Sequence, residues 1–460
     1  MGKPTIVTYH GDVETTSFFM TQLEKQLKAE DFEVCPLYYD APEDSPVFGD
    51  AQALQGAFFL TFNFAGIYSA DGCFLQGRGD DSKPPAESGI QLVDAYDMKC
   101  INIIVDHPYH YHDFLYEQMR LRRKRYFQIC IDRQHIAYMK RYFPEIQLLG
   151  LMPSGGTAYE SEDFTPGYKT DDWNRRPIDL LFAGTYVPPE GFELFIGRNG
   201  AEYSEFYHSM LDEALAEPEK KLEDIVRRRL EEEVEGGISE EEIRLTLGHI
   251  QFLDYYVRYR RRGELIRFLA DWEPEPEHTP EERADRADAK NGSGKRGLHI
   301  TIVGSGWEGL MEELKHPERV TLLPYADSQE ILRLLTQSKF SLNILPSFHE
   351  GAHDRIFNSM LCGAVCVTDS NAYLDAILKQ NHNAILYQTL SVEDRPNPGI
   401  ADRSKKDVSA MAERLYAILR EPKGHRNEIE TIRRNALKTG KEHTWCDRAK
   451  MVAAWIHSLC

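Results

Sequence analysis

The stretch from residue 342 to 369 joins an apolar strand pattern to a polar loop that suits an anionic ligand. The loop carries Glu350, His353, Asp354 and Arg355, and a helix is expected to begin near Asp354. Free N–H groups at a helix N-terminus favour a phosphate, and Arg355 would add a fixed positive charge. Glu350 cannot help a phosphate directly, so it is expected to bind hydroxyls of a sugar or ribose. The alternative is that Asp354 only caps the helix and that Arg355 is a surface residue.

A second polar cluster follows the apolar run of "IIVDHPYHYHDF". It places Asp106, His107 and His110 just after the carboxyl end of a predicted strand. A histidine can take a proton from an acceptor hydroxyl, and Asp106 could orient one. Near the N-terminus, Asp12 follows the first strand pattern and is a further candidate. Three histidines and an aspartate would also suit a metal ion, but a polar cleft wall is the preferred interpretation and no metal site is predicted.

These residues need a scaffold, and the pattern of the chain indicates one. Short apolar runs such as "PTIVTY" and "FSLNILPS" alternate with helix-like segments, which is typical of parallel sheets. Two successive doubly wound α/β halves are predicted, and ligands of such sheets bind at the carboxyl ends of the strands. A charged helical region within the second half, which includes "EKKLEDIVRRRLEEEVE", is interpreted as a solvated helical face.

Composition excludes several classes of protein. The chain has 460 residues, of which 42% are hydrophobic, so two packed domains are expected. The formal net charge of -20 argues against a nucleic-acid partner. No long apolar run or signal-peptide pattern is present, so no membrane span and a cytoplasmic location are expected. The eight cysteines are scattered and are interpreted as reduced core residues.

The run from residue 320 to 369 resembles the donor half of GT-B-fold glycosyltransferases, in which a strand, a helix, a Pro-Ser turn, Glu-Gly and a helix ending in Cys-Gly follow one another. More closely, "HDRIFNSMLCGAVCVTDSNAYLD", "DLLFAGTYVPP", "VDHPYHYHDFL" and "HTWCDRAK" resemble the bacterial CgeB-like (spore maturation) glycosyltransferases. The resemblance implies an α/β GT-B fold. Two Rossmann-like domains would face a cleft, and the second would carry the charged helical insertion.

The resemblance also implies domain limits. An acceptor-side domain is expected over residues 1–175 and a nucleotide-sugar-binding domain over 176–435. The second domain would contain the helical insertion at about 190–272 and an excursion, rich in Pro, Glu and Gly, at about 273–297. Residues 436–460 would form a helix that crosses back to the first domain.

Further residues acquire roles through the resemblance. The donor, expected to be a UDP-sugar with no other cofactor, would contact the loop after one strand, the nucleobase region and the Glu-Gly loop with its helix. The implied donor-binding residues are Gly184, Thr185, Tyr325, Glu350, Gly351, His353, Asp354, Arg355 and Asn358. Retaining relatives carry a second glutamate at the position of Asn358, which keeps hydrogen bonding to ribose but gives up a charge. The implied acceptor is a protein or polysaccharide.

Three functions therefore compete at this point. The first is a metal-independent glycosyltransferase, either inverting or retaining. The second is a non-hydrolysing nucleotide-sugar 2-epimerase, which would need paired acid and base carboxylates around the sugar. The third is a catalytically silent binding protein on the same fold.

Overall fold

The computed structural model describes most of the chain as two α/β units joined by helices. The described residues are 3–39, 54–67, 92–122, 124–160, 172–234, 236–274, 297–345, 348–392 and 400–460. Their strands are β1 (Thr5–His10), β2 (Glu33–Tyr38), β3 (Phe58–Phe62), β4 (Lys99–Ile104), β5 (Tyr126–Cys130), β6 (Gln147–Leu151), β7 (Ile178–Ala183), β8 (Ile300–Val303), β9 (Val320–Leu323), β10 (Ser338–Asn343), β11 (Val365–Thr368) and β12 (Ile385–Leu386).

The α-helices connect these strands and close the chain. They are α1 (Glu14–Leu27), α2 (Leu92–Ala95), α3 (His112–Leu121), α4 (Arg133–Tyr142), α5 (Glu193–Gly197), α6 (Ala201–Ala216), α7 (Leu222–Glu233), α8 (Glu240–Leu247), α9 (Gln251–Asp271), α10 (Glu308–Glu313), α11 (Ser328–Thr336), α12 (Asp354–Leu361), α13 (Ile400–Arg420), α14 (Arg426–Lys441) and α15 (Trp445–Leu459). No described helix is long and apolar enough to cross a membrane.

The strands form two six-stranded parallel sheets, with the orders β2-β1-β3-β4-β5-β6 and β12-β11-β10-β7-β8-β9. In each sheet the chain builds outward on one side of the first strand and then returns to build on the other side. This is the doubly wound arrangement, and two such units facing each other confirm the predicted GT-B fold class. The residue at which one domain ends and the next begins remains a prediction.

The strand order shows where a ligand would bind in the second sheet. The order in which strands are added to the sheet reverses between β7 and β10. These two strands are parallel neighbours that pair from Ile178 and Ser338 onward. The loops that leave these two strands separate there and open a crevice. Gly184 follows β7, and α12 follows β10, so both predicted donor loops lie at this reversal.

Two strands were not among those predicted from the sequence. β2 lies at the edge of the first sheet and contains Pro36, a residue that argues against a strand. β5 directly follows a basic stretch, so the start of its short apolar run is hard to recognise in the sequence. The predicted Pro346-Ser347 turn and most of the excursion after Trp272 lie outside the described residues.

The charged helical region was interpreted as a solvated face, but one side of its helices is apolar and buried. Helices α6 to α8 and the first half of α9 pack into the core of the N-terminal sheet, although they follow β7 in the chain. The second half of α9, including Leu265 and Ile266, packs instead into the core of the C-terminal sheet. Opposite charges at helical spacing indicated the exposed side correctly, but the apolar side was sufficient to dock. Helix α9 therefore joins the two domains.

The last helix, α15, packs on the N-terminal domain. The ring of Trp445 lies 4.5 Å from that of Phe19 in α1, and Trp445 is 2% exposed. Arg448 donates from Nε to the carbonyl oxygen of Pro153 at 2.6 Å. A capping box at Thr444 and Asp447 fixes the start of the helix. The chain thus returns to the first domain after completing the second.

Candidate active site

A cavity of about 330 Å³ lies between the two domains at the carboxyl ends of both sheets. Its N-terminal wall comes from the start of α1, the loop after β4 and α4. Its C-terminal wall comes from the loops after β7, β8 and β9 and from the start of α12, and α9 contributes the remaining side. The N-terminal wall, the C-terminal wall and α9 all contribute polar side chains to the cavity. The cavity is therefore the candidate active site.

The loop after β7 and the loop after β8 meet closely in the floor of this cavity. Gly304 has a φ of +137°, and a Cβ there would lie 2.5 Å from the carbonyl oxygen of Gly184. Gly306 has a φ of +86° and a similar conflict with Tyr186. Any side chain at either glycine would force the loops apart. The sequence "VGSGW" thus allows the close approach, and Gly184, Thr185 and Gly304 all line the cavity.

Three arginine side chains line the same cavity: Arg258 and Arg262 from α9, and Arg355 from α12. Arg262 is 8% exposed and donates from Nη1 to the carbonyl oxygen of Thr185. Within the described residues, Nε of Arg258 and Nε of Arg262 are buried without a hydrogen-bond partner. Burial, together with the charges of Arg355 and Arg258, lowers the pKa of Arg262 to about 9. The arginines remain cationic at neutral pH and repel one another, so an anion in the cavity would be stabilised.

The start of α12 holds a chain of polar contacts. Nδ1 of His353, the N-cap residue, lies 2.6 Å from Oδ1 of Asp354 and 3.3 Å from the backbone N of Arg355. Asn358 donates from Nδ2 to Oδ2 of Asp354 at 2.8 Å, while its Oδ1 accepts from the backbone N of Thr157 at 2.7 Å. Asn358 therefore ties this helix to the N-terminal domain as well as lining the cavity.

Asp106 is the most available carboxylate on the acceptor side. Its Oδ2 accepts hydrogen bonds from the hydroxyl of Tyr111 at 2.9 Å and from Nδ2 of Asn63 at 3.3 Å. Its Oδ1 lies 3.9 Å from Nη1 of Arg258, and the side chain is 35% exposed. One oxygen is thus fixed by two donors and the other is left for a ligand. This geometry suits a general base.

His107 lines the cavity, but its ring is committed to other groups. Its Nδ1 accepts from the backbone N of Tyr109 at 3.3 Å, and its Nε2 lies 3.5 Å from Oε1 of Glu223 in the insertion. Burial acts to raise the pKa of Glu223, but His107 and Gln134 outweigh it and lower that pKa to about 2. His107 and Glu223 thus make a buried polar contact between domain and insertion, although Nε2 of His107 has no hydrogen-bond partner among the described residues.

Another histidine of the cavity wall, His135, was not predicted. It is 1% exposed, and neither ring nitrogen has a hydrogen-bond partner among the described residues. Burial lowers its pKa well below the usual value, so the imidazole is neutral. Its ring lies 4.8 Å from that of His107.

Four of the predicted site residues do not line the cavity. Nε2 of His110 lies 2.9 Å from Oδ2 of Asp254 in α9, with both side chains buried. Asp12 is exposed outside the cavity. The Glu350-Gly351 loop is drawn onto the N-terminal domain, because the backbone N of Glu350 donates to Asp132 at 2.9 Å. The other predicted residues line the cavity: Asp106, His107, Gly184, Thr185, Tyr325, His353, Asp354, Arg355 and Asn358.

The rim of the cavity holds an exposed tyrosine and an interdomain contact. Tyr325 is 68% exposed and lines the cavity, so it is not a residue of the core. Glu14, at the start of α1, accepts from the backbone N of Ser328 at 3.0 Å and from its hydroxyl at 2.9 Å. Tyr325 is thus free to contact a ligand, while Glu14 and Ser328 hold the two domains together at one edge.

Sequence reasoning missed the two arginines of the insertion and Glu14. Arg258 and Arg262 are four residues apart in "VRYRRRGE", so they share one face of a helix. That spacing was readable, but nothing in the sequence indicated that the helix returns to the cleft. Glu14 stands close to Asp12 in the sequence, but that pairing was too loose to predict an acid/base pair.

No group of three or more His, Cys, Asp or Glu side chains suited to a metal ion occurs among the described residues. The histidines of the loop after β4 diverge, since His107 faces Glu223 and His110 faces Asp254. The positive charge in the cavity comes from the arginines.

Comparisons with known proteins bear on this site. Residues 284–454 match a family model described as glycosyl transferase-like. No curated protein matches the chain. The match covers the second half of the C-terminal domain, with α12 and α15, and it supports the glycosyltransferase class. The finer resemblance to the CgeB-like family stays a hypothesis.

Several solved structures are similar to the chain. Sucrose-phosphate synthase from Thermosynechococcus elongatus is 11% identical, with 99% of each chain covered and a TM-score of 0.49. Anabaena HepE in complex with UDP and glucose is 10% identical, with 99% of this chain and 100% of that chain covered and a TM-score of 0.46. The pneumococcal O-GlcNAc transferase, in complex with UDP and GlcNAc, is 12% identical, with a TM-score of 0.38. The match covers 78% of this chain but only 52% of that transferase. The fold assignment itself rests on the strand orders of the two sheets.

Proposed function

We propose that the protein is a glycosyltransferase that moves a sugar from a nucleotide-diphosphate sugar to a hydroxyl of a protein or glycan acceptor, without a catalytic metal. The observation that carries this proposal is the set of three arginines in one cavity at the point where the second sheet reverses its strand order. Holding these like-charged guanidinium groups close together costs free energy. A diphosphate would turn that repulsion into attraction, and the start of α12 adds the positive end of a helix.

The walls of the cavity assign the two substrates to different sides. The diphosphate would contact Arg262, Arg355 and the loop at Gly184, and Tyr325 would contact the nucleobase at the rim. The acceptor hydroxyl would approach Asp106 from the N-terminal domain. Its oxygen bonds to the anomeric carbon as the bond from that carbon to the diphosphate breaks. The hydroxyl proton passes to Asp106, and the departing diphosphate keeps the electron pair beside the arginines.

The epimerase alternative is less well supported by the carboxylates present. It needs an acid and a base on either side of the sugar ring, but the cavity offers three carboxylates with unequal freedom. Glu14 is held by Ser328, and Asp354 is held by His353 and Asn358. Among the described residues that line the cavity, Asp106 alone has a carboxylate oxygen without a hydrogen bond, and that Oδ1 lies 3.9 Å from Nη1 of Arg258. Incubation with nucleotide sugars and no acceptor separates the functions: slow hydrolysis favours a transferase, a changed sugar favours an epimerase, and absence of binding favours a silent relative.

Replacing Arg355 with Ala is expected to weaken the binding of UDP by about 1 to 3 kcal/mol, the range for a hydrogen bond to a charged group. The side chain of Arg355 has no hydrogen-bond partner among the described residues, so the loss would reflect the ligand and not a broken internal contact. Titration calorimetry measures the change. Arg426→Ala is the control, since Arg426 is exposed on α14 and its ion pair among the described residues is with Glu430. Equal affinity in the Arg355→Ala protein would remove this residue from the site.

Sugar transfer is expected to persist in EDTA, because the three guanidinium groups supply the positive charge that a cation would supply in a metal-dependent transferase. Release of nucleoside diphosphate is measured before and after chelation. A loss of activity that manganese or magnesium restores would contradict the proposal of metal independence. It would also make the histidines after β4 candidate metal ligands.

A further inference from the structure

We propose that His353 takes up a proton when the diphosphate of a donor enters the cavity, and that it then donates a hydrogen bond to that diphosphate as an imidazolium. The inference rests on the proposed function and assigns His353 a chemical role beyond capping α12. The argument depends on which ring nitrogen carries the proton before the ligand arrives.

The contact with Asp354 fixes that proton. Nδ1 of His353 lies 2.6 Å from Oδ1 of Asp354, a carboxylate that is 7% exposed. An approach this close between a nitrogen and a carboxylate oxygen requires a hydrogen between them. The backbone N–H of Arg355 points at the same Nδ1 from 3.3 Å as a cap, and this longer and weaker contact is given up where Nδ1 keeps its hydrogen for Asp354. In the neutral ring the proton is therefore at Nδ1, and Nε2 carries a lone pair.

The other ring nitrogen, Nε2, belongs to a side chain that lines the candidate anion site. His353 lines the cavity, its side chain is 24% exposed, and no described residue forms a hydrogen bond with Nε2. A lone pair at this position would oppose the oxygens of a bound diphosphate, which are acceptors only. Protonation changes Nε2 into a charged donor and removes the conflict.

The surrounding charges set the state of His353 before and after binding. Burial and the charges of Arg355 and Arg262 lower its pKa, while Asp354 acts in the opposite direction. The free protein thus holds a neutral ring near pH 7. A diphosphate would offset the arginines and raise the pKa, with Asp354 already placed to stabilise the cation. The remaining charged or titratable groups among the described residues of the cavity are Arg258, Asp106, His107, His135, Glu14 and Tyr325.

The sign of the pH effect follows from linkage. The free protein has the lower pKa and the complex the higher one, so binding takes up a proton between the two values. Affinity for the donor should then be greatest below the pKa of the free protein and should fall as pH rises through the pKa of the complex.

The test measures proton uptake and does not depend on sugar transfer. UDP-glucose is titrated into the full-length protein near pH 7 in buffers that differ in ionisation enthalpy. Both of its phosphates are esterified, so it lacks the ionisation near pH 6 of a terminal phosphate. The wild-type protein is expected to take up a fraction of a proton that increases toward one as pH falls through the pKa of the complex. His353→Asn should abolish the uptake and weaken binding, while Asn remains a good N-cap and keeps α12 intact.

Each outcome decides the inference. The control His457→Gln removes an exposed histidine of α15 and should leave proton uptake unchanged. Binding of UDP-glucose without proton uptake, or uptake that persists in His353→Asn, would overturn the role of His353 and leave the proposed function intact. If neither UDP-glucose nor GDP-mannose binds to the wild-type protein, the proposed function fails and this inference fails with it.

Discussion

Replacing Asp106 with Asn is expected to reduce turnover by about 10²- to 10⁴-fold, the usual contribution of a general base. The amide keeps the size of the side chain and can still accept from Tyr111 and Asn63, but it cannot take the proton of a hydroxyl. Nucleotide-sugar binding should change little, since the arginines and the start of α12 remain. The rate of nucleoside diphosphate release from the donor, with water as acceptor, is the measurement, together with donor affinity by calorimetry.

The matched control is Asp12→Asn. Asp12 is an aspartate of the same domain that sequence reasoning placed in the site, and it is exposed outside the cavity. Its replacement should leave the rate unchanged. A normal rate in the Asp106→Asn protein, or an equal loss in both variants, would exclude Asp106 as the base.

Replacing Trp445 with Ala is expected to destabilise the protein by about 3 to 5 kcal/mol, the range for a large buried aromatic side chain. The indole is buried against residues of the N-terminal domain that are far from it in sequence, with Phe19 at 4.5 Å and Phe62 at 6.0 Å between ring centroids. Its removal leaves a cavity between α15 and α1. Urea unfolding followed by circular dichroism measures the loss.

Trp445→Phe provides the conservative comparison. The indole Nε1 is buried without a hydrogen-bond partner among the described residues, so phenylalanine forfeits volume but no hydrogen bond. It should cost much less than alanine. A similar loss in both variants would mean that packing against Phe19 is not what holds α15 to the N-terminal domain.

The sequence predicted the fold well because the fold depends on local patterns. Parallel strands buried on both faces are mostly apolar, as in β3 and β8, and helical segments separate the strands along the chain. The reversal between β7 and β10 then placed Gly184 and Arg355 in one crevice. These residues follow strand ends, and strand ends meet at one edge of a sheet.

The remaining part of the site depends on contacts between distant segments, which no local pattern encodes. His110 appeared to be equivalent to His107, but Asp254 of the insertion holds it away from the cavity. Glu350 was expected to bind hydroxyls, yet Asp132 draws its loop onto the N-terminal domain. Arg258 entered the site because α9 crosses between domains. Each difference has its origin in the docking of the insertion or in the closeness of the two domains.

The docking of α6 to α9 and of α15 on the first sheet has a consequence for the order of events during synthesis. The N-terminal sheet is complete at Leu151, but Met210, Leu253 and Trp445, which cover its surface, are made later. At 5 to 20 residues per second, roughly 15 to 60 s separate β6 from the end of α15. Over that interval the nascent sheet keeps apolar side chains uncovered. The first domain is therefore translated first but is among the last to complete its packing. A chaperone would have the most apolar surface to protect in the newly made N-terminal half.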